Sequence, residues 1–283
     1  MSICFFLLIH GDPLYFKAGI LAIKTILRNT DFKLFVSYNG DISKFPKDKR
    51  VIYHKIDHFV LQTSRPYRFL LKFKGVQDCI NIVDPDLIIM MDVDAILIKK
   101  ITEKNVRNAL DGFPIAMVEQ KKIVRSHMDR KKFLEHYINH SLKIIAPKLE
   151  PPKLMDFRYY NSGFVIAEKD YLKKLSSWAV AHIEDNLGKH EIQGHMIADQ
   201  DYFQVWVNNI YPETCNELPW FWNHCEHWDD HFLDFRAIVV HFSNFCYGPN
   251  NKSIQNMKNA IFKSSIINNN ILKIVTQWMS SWK

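Results

Sequence analysis

Two aspartates one residue apart, Asp92 and Asp94, stand inside the run Ile88–Ile98, IIMMDVDAILI, which is otherwise apolar. Buried carboxylates lose their hydration, and two this close repel each other and raise one pKa unless a cation or hydrogen-bond donors hold both charged. A divalent metal ion is the economical way to meet that need. Three other polar groups interrupt apolar stretches in the same manner. Asn161-Ser162-Gly163 enters the run YYNSGFVIA, Asp199-Gln200-Asp201 opens a helical stretch, and His241 ends AIVVH.

The elements around these residues must bring them to one place. Ile3–Ile9 is a short apolar run stopped by His10-Gly11-Asp12-Pro13, a strand followed by a turn. Phe16, Ile20, Ile23 and Leu27 recur at helical spacing, and Phe32–Tyr38 and Val51–Ile56 read as further strands. Strand, helix and strand in quick succession predict parallel βαβ units and an α/β fold with an open sheet, whose ligands bind beyond the carboxyl ends of its strands. His10, Asp12 and the acidic pair all lie at such ends. Arg65–Ile82 is predicted as a helix whose basic face carries Arg65, Arg68, Lys72 and Lys74, leading through Asp84-Pro85-Asp86 into the acidic strand.

Further strands are predicted over Phe113–Val118, Tyr159–Ala167 and Ala237–His241. An amphipathic helix is predicted over Lys169–Leu187 and another over Tyr202–Asn208, its first turn acidic as the helix dipole favours. Lys121–Pro152 is lysine-rich and has no place in a minimal sheet, so it reads as a partly helical insertion. Leu218–Asn223, LPWFWN, reads as an aromatic loop. Lys252–Lys283 has five lysines and no acidic residue, and Phe262, Trp278 and Trp282 make it a basic, amphipathic tail suited equally to peripheral membrane contact and to packing against the sheet.

The chain of 283 residues is 47% hydrophobic, enough for one large core, and its net charge of +7 suits an anionic partner. No helix-turn-helix, RNP or zinc-finger pattern points to nucleic acid. No apolar run approaches the roughly 18 residues of a membrane span. The N-terminal MSICFFLLIHGDP lacks the basic start and cleavage site of a signal peptide, so it reads as a first strand. Five irregularly spaced cysteines make no disulfide framework, and a reducing, cytoplasmic setting is expected. Cys215, His224, Cys225, His227 and His231 cluster in sequence, but only His227 and His231 have a zinc-like spacing.

The ordered set DVDAI, YNSGFVI, ADQDYF, LPWFWN and VVHFS resembles glycosyltransferase family 8, retaining enzymes of the GT-A fold that include glycogenin and bacterial lipopolysaccharide galactosyltransferases. The resemblance implies a nucleotide-diphospho-sugar transferase fold, a single, mostly parallel mixed sheet flanked by helices. Residues 1–250 would form the catalytic domain, with a helical insertion around 121–152 and the tail over 251–283. It also implies that Asp92 touches the donor ribose and the metal, while Asp94 and His241 complete the protein's share of the metal shell. Hard oxygens with one imidazole suit Mn²⁺ or Mg²⁺. Asn161 and Gly163 would edge the sugar pocket, where the glycine would let backbone approach a ligand closely; Asp199, Gln200 and Asp201 would line the reacting face of the donor sugar, and Lys72 or Arg68 would supply the basic residue before the acidic strand. The family's Lys-Pro-Trp after the histidine is replaced here by FSNFCYGPNNK, in which Gly248, Pro249 and Lys252 stand as a displaced version, with Lys252 on the diphosphate.

The implied donor is a nucleotide-diphosphate sugar, UDP-sugar favoured, and the implied acceptor a glycan, a lipid-linked sugar or a protein. A nucleotidyltransferase shares an acidic α/β site but needs a glycine-rich basic loop after the first strand, which His10–Pro13 is not. A non-catalytic sugar-nucleotide binder is disfavoured by the intact Asp92, Asp94, Gln200, Asp201 and His241.

Overall fold

A computed structural model describes residues 1–56, 65–121, 129–185, 197–225, 236–242 and 250–280, without the side chains of 65–70, 185 and 266–280. β1 (Ile3–His10) is apolar on both faces, as a central strand covered from both sides must be. Asp12 then caps α1 (Pro13–Asn29) by accepting from the Leu14 N–H at 2.8 Å, and Pro13 fills a first-turn position that needs no N–H. β2 (Lys33–Asn39), β3 (Val51–Lys55), α2 (Arg65–Val83) and β4 (Leu87–Met91) follow.

Beyond β4 the acidic run does something its composition did not announce. It is not one strand: the chain turns at Asp92–Asp94 and enters β5 (Ala95–Leu97), which belongs to a different sheet. The order continues with α3 (Glu103–Leu110), β6 (Ile115–Glu119), α4 (Arg130–His136), a π-helical turn over Tyr137–Leu142 and α5 (Lys143–Ile145). Then come β7 (Tyr160–Glu168), α6 (Lys169–Asp185) and α7 (Asp199–Val205), which runs into a second π-helical turn, Trp206–Ile210. β8 (Cys215–Leu218), a 3₁₀ turn (Trp220–Trp222), β9 (His224–Cys225), β10 (Val239–His241) and α8 (Asn251–Ser280) complete the chain.

Seven strands form the main sheet in the order β3-β2-β1-β4-β7-β6-β8, with β7 antiparallel to both its neighbours and the other pairs parallel. A second sheet, β5-β10-β9, lies beside it. Alternate residues of β1 serve opposite faces: Phe5, Leu7 and Ile9 join a core with α1, α3, the small sheet and α8, while Cys4 and Phe6 join one with α2, α6, α7 and the insertion. The first half of the tail is part of the body. Ile254, Met257 and Ala260 of α8 are core residues, and Arg28 of α1 donates to Ser265 at 2.8 Å.

Arg50 fastens the end of α1 to the start of β3. It donates to the Thr30 carbonyl at 2.6 Å, to the Leu27 carbonyl at 3.0 Å and, through two nitrogens, to the Asp48 carboxylate. The bond from Arg50 draws Asp48 down from 3.8 to about 2. A depressed carboxylate stabilises the fold above its unfolded pKa, and that contribution is lost as pH falls through the folded one. Asp48→Asn should therefore lower Tm at pH 7, and in calorimetric scans the deficit should shrink as pH falls from about 4 toward 2.

Candidate active site

The turn after β4 is held at both ends. The Asp92 N–H donates to the Gly163 carbonyl of β7 at 2.9 Å, and the Ala95 N–H donates back to the Asp92 carbonyl at 3.1 Å. On the far side β5 pairs antiparallel with β10, placing Ala95 opposite His241, and the Phe242 N–H donates to the Asp94 carbonyl at 2.9 Å. Val93, between the two acids in the turn, packs into the core. Ligand atoms of Asp92, Asp94 and His241 consequently lie within 4.8 Å of one another, with His241 Nε2 at 3.2 Å from Asp94 Oδ1 and 3.7 Å from Asp92 Oδ2. Among the described residues this is the group whose donor set and spacing suit a metal ion.

Gly163 explains how the imidazole fits. A Cβ there would lie 2.2 Å from His241 Cε1 and 2.4 Å from Nδ1, so the ring packs on bare backbone. The sequence reading assigned this glycine to the approach of a ligand; the close approach seen is that of His241. Asn161 shapes the same start of β7, since its Oδ1 accepts from the Gly163 N–H at 2.8 Å and from Asn223 Nδ2 at 2.6 Å. Asn223 follows a Trp222 ring stacked 5.9 Å from Phe164, so the LPWFWN segment reaches the site through its last residue.

Lys72 joins the acidic turn to α7. Its ammonium donates to Asp92 Oδ1 at 2.6 Å and to Asp199 Oδ2 at 2.5 Å, and the residue is 6% exposed. Arg68, the alternative expected on the same helix, has its side chain outside the described residues. Asp92 is thus shared, one oxygen on Lys72 and the other facing His241, while its side chain is 27% exposed and open to a ligand. Asp201 turns inward: Oδ2 accepts from the Ala198 N–H at 2.8 Å and Oδ1 from Ser141 at 2.5 Å, capping α7 and tying it to the insertion. Tyr137 of the insertion likewise donates to Asn209. Gln200, half-buried between the two acids, lies over β7, with Oε1 3.4 Å from the Ser162 nitrogen.

Burial raises Asp92 above the ordinary carboxylate range, helped by Asp199 and Asp94 and opposed by Lys72 and His241. Burial would raise Asp94 as well, but the charge and hydrogen bond of His241 bring it below that range. For His241 burial acts downward, and Cys225 and Asp94 against its two nitrogens prevail, raising it well above the ordinary imidazole value. Lys72 is raised in spite of burial by Asp199 and Asp92. Burial raises Asp201 against the bonds from Ala198 and Ser141.

The remaining expected residues are placed less closely. His10 ends β1, Asp12 is engaged as a helix cap, and Lys252 is exposed in the first turn of α8. Gly248, Pro249, His227 and His231 lie outside the described residues, as do the side chains of Trp278 and Trp282. Cys215 falls on β8 of the large sheet while His224 and Cys225 form β9 of the small one. Asn223, Ser141 and Cys225 were not expected to serve the site. For Asn223 the signal was present, a polar residue closing an aromatic segment. For Ser141 none existed.

Two outcomes follow. Gly163→Ala should push the His241 ring aside and weaken Mn²⁺ binding by at least ~10-fold in an electron-spin titration, with an unchanged far-UV spectrum. Lys72→Met should cost about 3 kcal/mol in urea unfolding, because it strands buried carboxylates, and adding Asp199→Asn should restore part of the loss.

No family model and no curated protein sequence matches the chain. Solved structures do match it. Mouse xyloside xylosyltransferase 1, in its apo form, is similar with a TM-score of 0.51 at 18% identity, over 88% of this chain and 100% of that one. The apo bifunctional glycosyltransferase WbbM gives 0.56 at 14% identity over 92% of this chain, which spans 49% of that one. The galactosyltransferase LgtC, in complex with donor and acceptor sugar analogs, gives 0.56 at 12% identity over 93% of this chain and 96% of that one. The seven-stranded sheet with its flanking helices and the likeness to these three proteins show that the chain has the GT-A glycosyltransferase fold.

Proposed function

We propose that the chain is a metal-dependent, retaining glycosyltransferase that moves a hexose from a nucleotide-diphosphate sugar, with UDP-sugar favoured, to a hydroxyl acceptor. The observation that carries this reading is the meeting of Asp92, Asp94 and His241 with the Lys72–Asp199 pair at the carboxyl end of β4, in a fold shared with glycosyltransferases. Two carboxylates and one imidazole, seated where Gly163 leaves room for the ring, fit a hard divalent ion, Mn²⁺ or Mg²⁺. Such an ion would supply Lewis acidity and charge neutralisation toward the departing diphosphate.

The chain's own residues do the rest. Lys72 holds Asp92 and Asp199 in fixed orientations, leaving the second Asp92 oxygen for the metal and the donor. Asp201 and Ser141 fix the first turn of α7, which presents Gln200 toward the reacting face of the sugar. Asn161 and Gly163 form the floor on which His241 rests. In the transfer itself the bond from the anomeric carbon to the diphosphate oxygen breaks and one to the acceptor oxygen forms on the same face. The acceptor's proton passes to the diphosphate, so no dedicated base is required. The acceptor is a hydroxyl of a glycan, a lipid-linked sugar or a protein; Phe262, 67% exposed on α8 between the exposed Lys258 and Lys263, offers contact with an anionic lipid surface that would deliver a lipid-linked one.

The test is a donor screen. With Mn²⁺ and no acceptor, slow hydrolysis of a UDP-sugar is expected, absent with a chelator and in Asp94→Asn, and GDP- and CMP-sugars should be poorer. Full activity under chelation would remove the metal from the scheme, and an inverted anomer by NMR would remove retention. Acceptors offered free and in anionic vesicles distinguish a soluble from a lipid-linked target, the latter giving faster transfer in vesicles that Phe262→Ala slows.

A further inference from the structure

His241 is enclosed on every side the structure shows. Its Nε2 edge faces Asp94 and Asp92, and Gly163 lies against Cε1 and Nδ1. Beside Nδ1, at 3.4 Å, is the sulfur of Cys225. The two residues are register partners in the parallel pairing of β10 with β9, and each is 3% exposed. Backbone pairing, not chance side-chain placement, therefore brings the thiol to the ring.

An imidazole has two nitrogens, and the neutral ring carries its proton on one of them. To offer Nε2 to a metal ion the ring must keep that proton on Nδ1, which then needs an acceptor. The Cys225 sulfur, at 3.4 Å, can accept that hydrogen, if weakly. An alkyl group in its place could not.

We propose that Cys225 is a positioning residue for the metal site, whose thiol sulfur accepts from His241 Nδ1–H when Nε2 binds an ion. The proposal rests on the reading of Asp92, Asp94 and His241 as a divalent-ion site. It accounts for a buried cysteine that the transfer scheme leaves unused.

The experiment titrates Mn²⁺, with electron-spin detection of the free ion, into the reduced full-length wild type, Cys225→Ser and Cys225→Ala. The hydroxyl of serine can donate and accept, so Cys225→Ser is expected within about threefold of wild type, and Cys225→Ala about 10- to 100-fold weaker. Wild-type affinity in Cys225→Ala overturns the proposal and leaves the metal site standing, as does an equal loss in both variants, which would mark the sulfur as packing only. Absence of Mn²⁺ binding by wild type overturns the metal site and this proposal with it. Should Cys225→Ala not fold, the ring ¹⁵N resonances of His241 in Mg²⁺-loaded wild type and Cys225→Ser decide: protonated Nδ1 in both is expected, and a bare Nδ1 overturns the assignment.

Discussion

One ammonium group holds the centre of this molecule together. Lys72 lies between Asp92, which closes β4, and Asp199, which opens α7, two carboxylates 107 positions apart in the chain and brought within reach of the same nitrogen. Removing either acid would leave a buried cation with half its compensation, and removing the lysine would leave two acids facing each other across dry space. Helix α2, which carries Lys72, must therefore pack closely on the sheet. Gly75, one turn on, permits it: a Cβ there would meet Phe6 and Ser37 at 2.8 Å.

That single tie shows why the polar residues lie where they do. Asp92, Asp94 and Asp199 bring three negative charges, and Lys72 with His241 brings at most two positive ones, so the cluster is completed by a cation and is hostile to a second anion without one. The fold answers the repulsion by geometry before any ligand arrives. Lys72 takes one oxygen of Asp92, His241 approaches Asp94, and the helix cap at Asp201 spends that carboxylate on Ala198 and Ser141. Only Asp92 keeps substantial exposure, at the place where a ligand must enter.

Much of this was legible in the chain as written. Six strands of the large sheet with α1, α2 and α6 follow from apolar runs and from helical spacings of three to four residues, whereas β8, Cys215–Leu218, carries no such signal and was not expected. The identity of the clustered residues followed from polar groups interrupting apolar runs. Of the small sheet only β10 did, as the end of AIVVH; β5 and β9, of three and two residues, contain no period, and IIMMDVDAILI has the composition of one strand although it is two. The inward turn of Asp201 depended on Ser141, 60 positions away in an insertion with no motif. The role of Gly163 was half readable: the glycine announced a close approach, but only the register of β10 identified what approaches.

The break between β4 and β5 carries one more consequence. Asp92 follows a strand of the seven-stranded sheet, and His241 ends a strand of the three-stranded one, so the two sheets meet at the acidic turn. An ion seated there would be a rivet between them. Its binding free energy would count equally as cohesion of the body, in the manner of any ligand that binds only the folded form. Tighter seating of the ion would then raise resistance to unfolding while the ion is present, and a substitution that loosens its ligands along the seam would register in both.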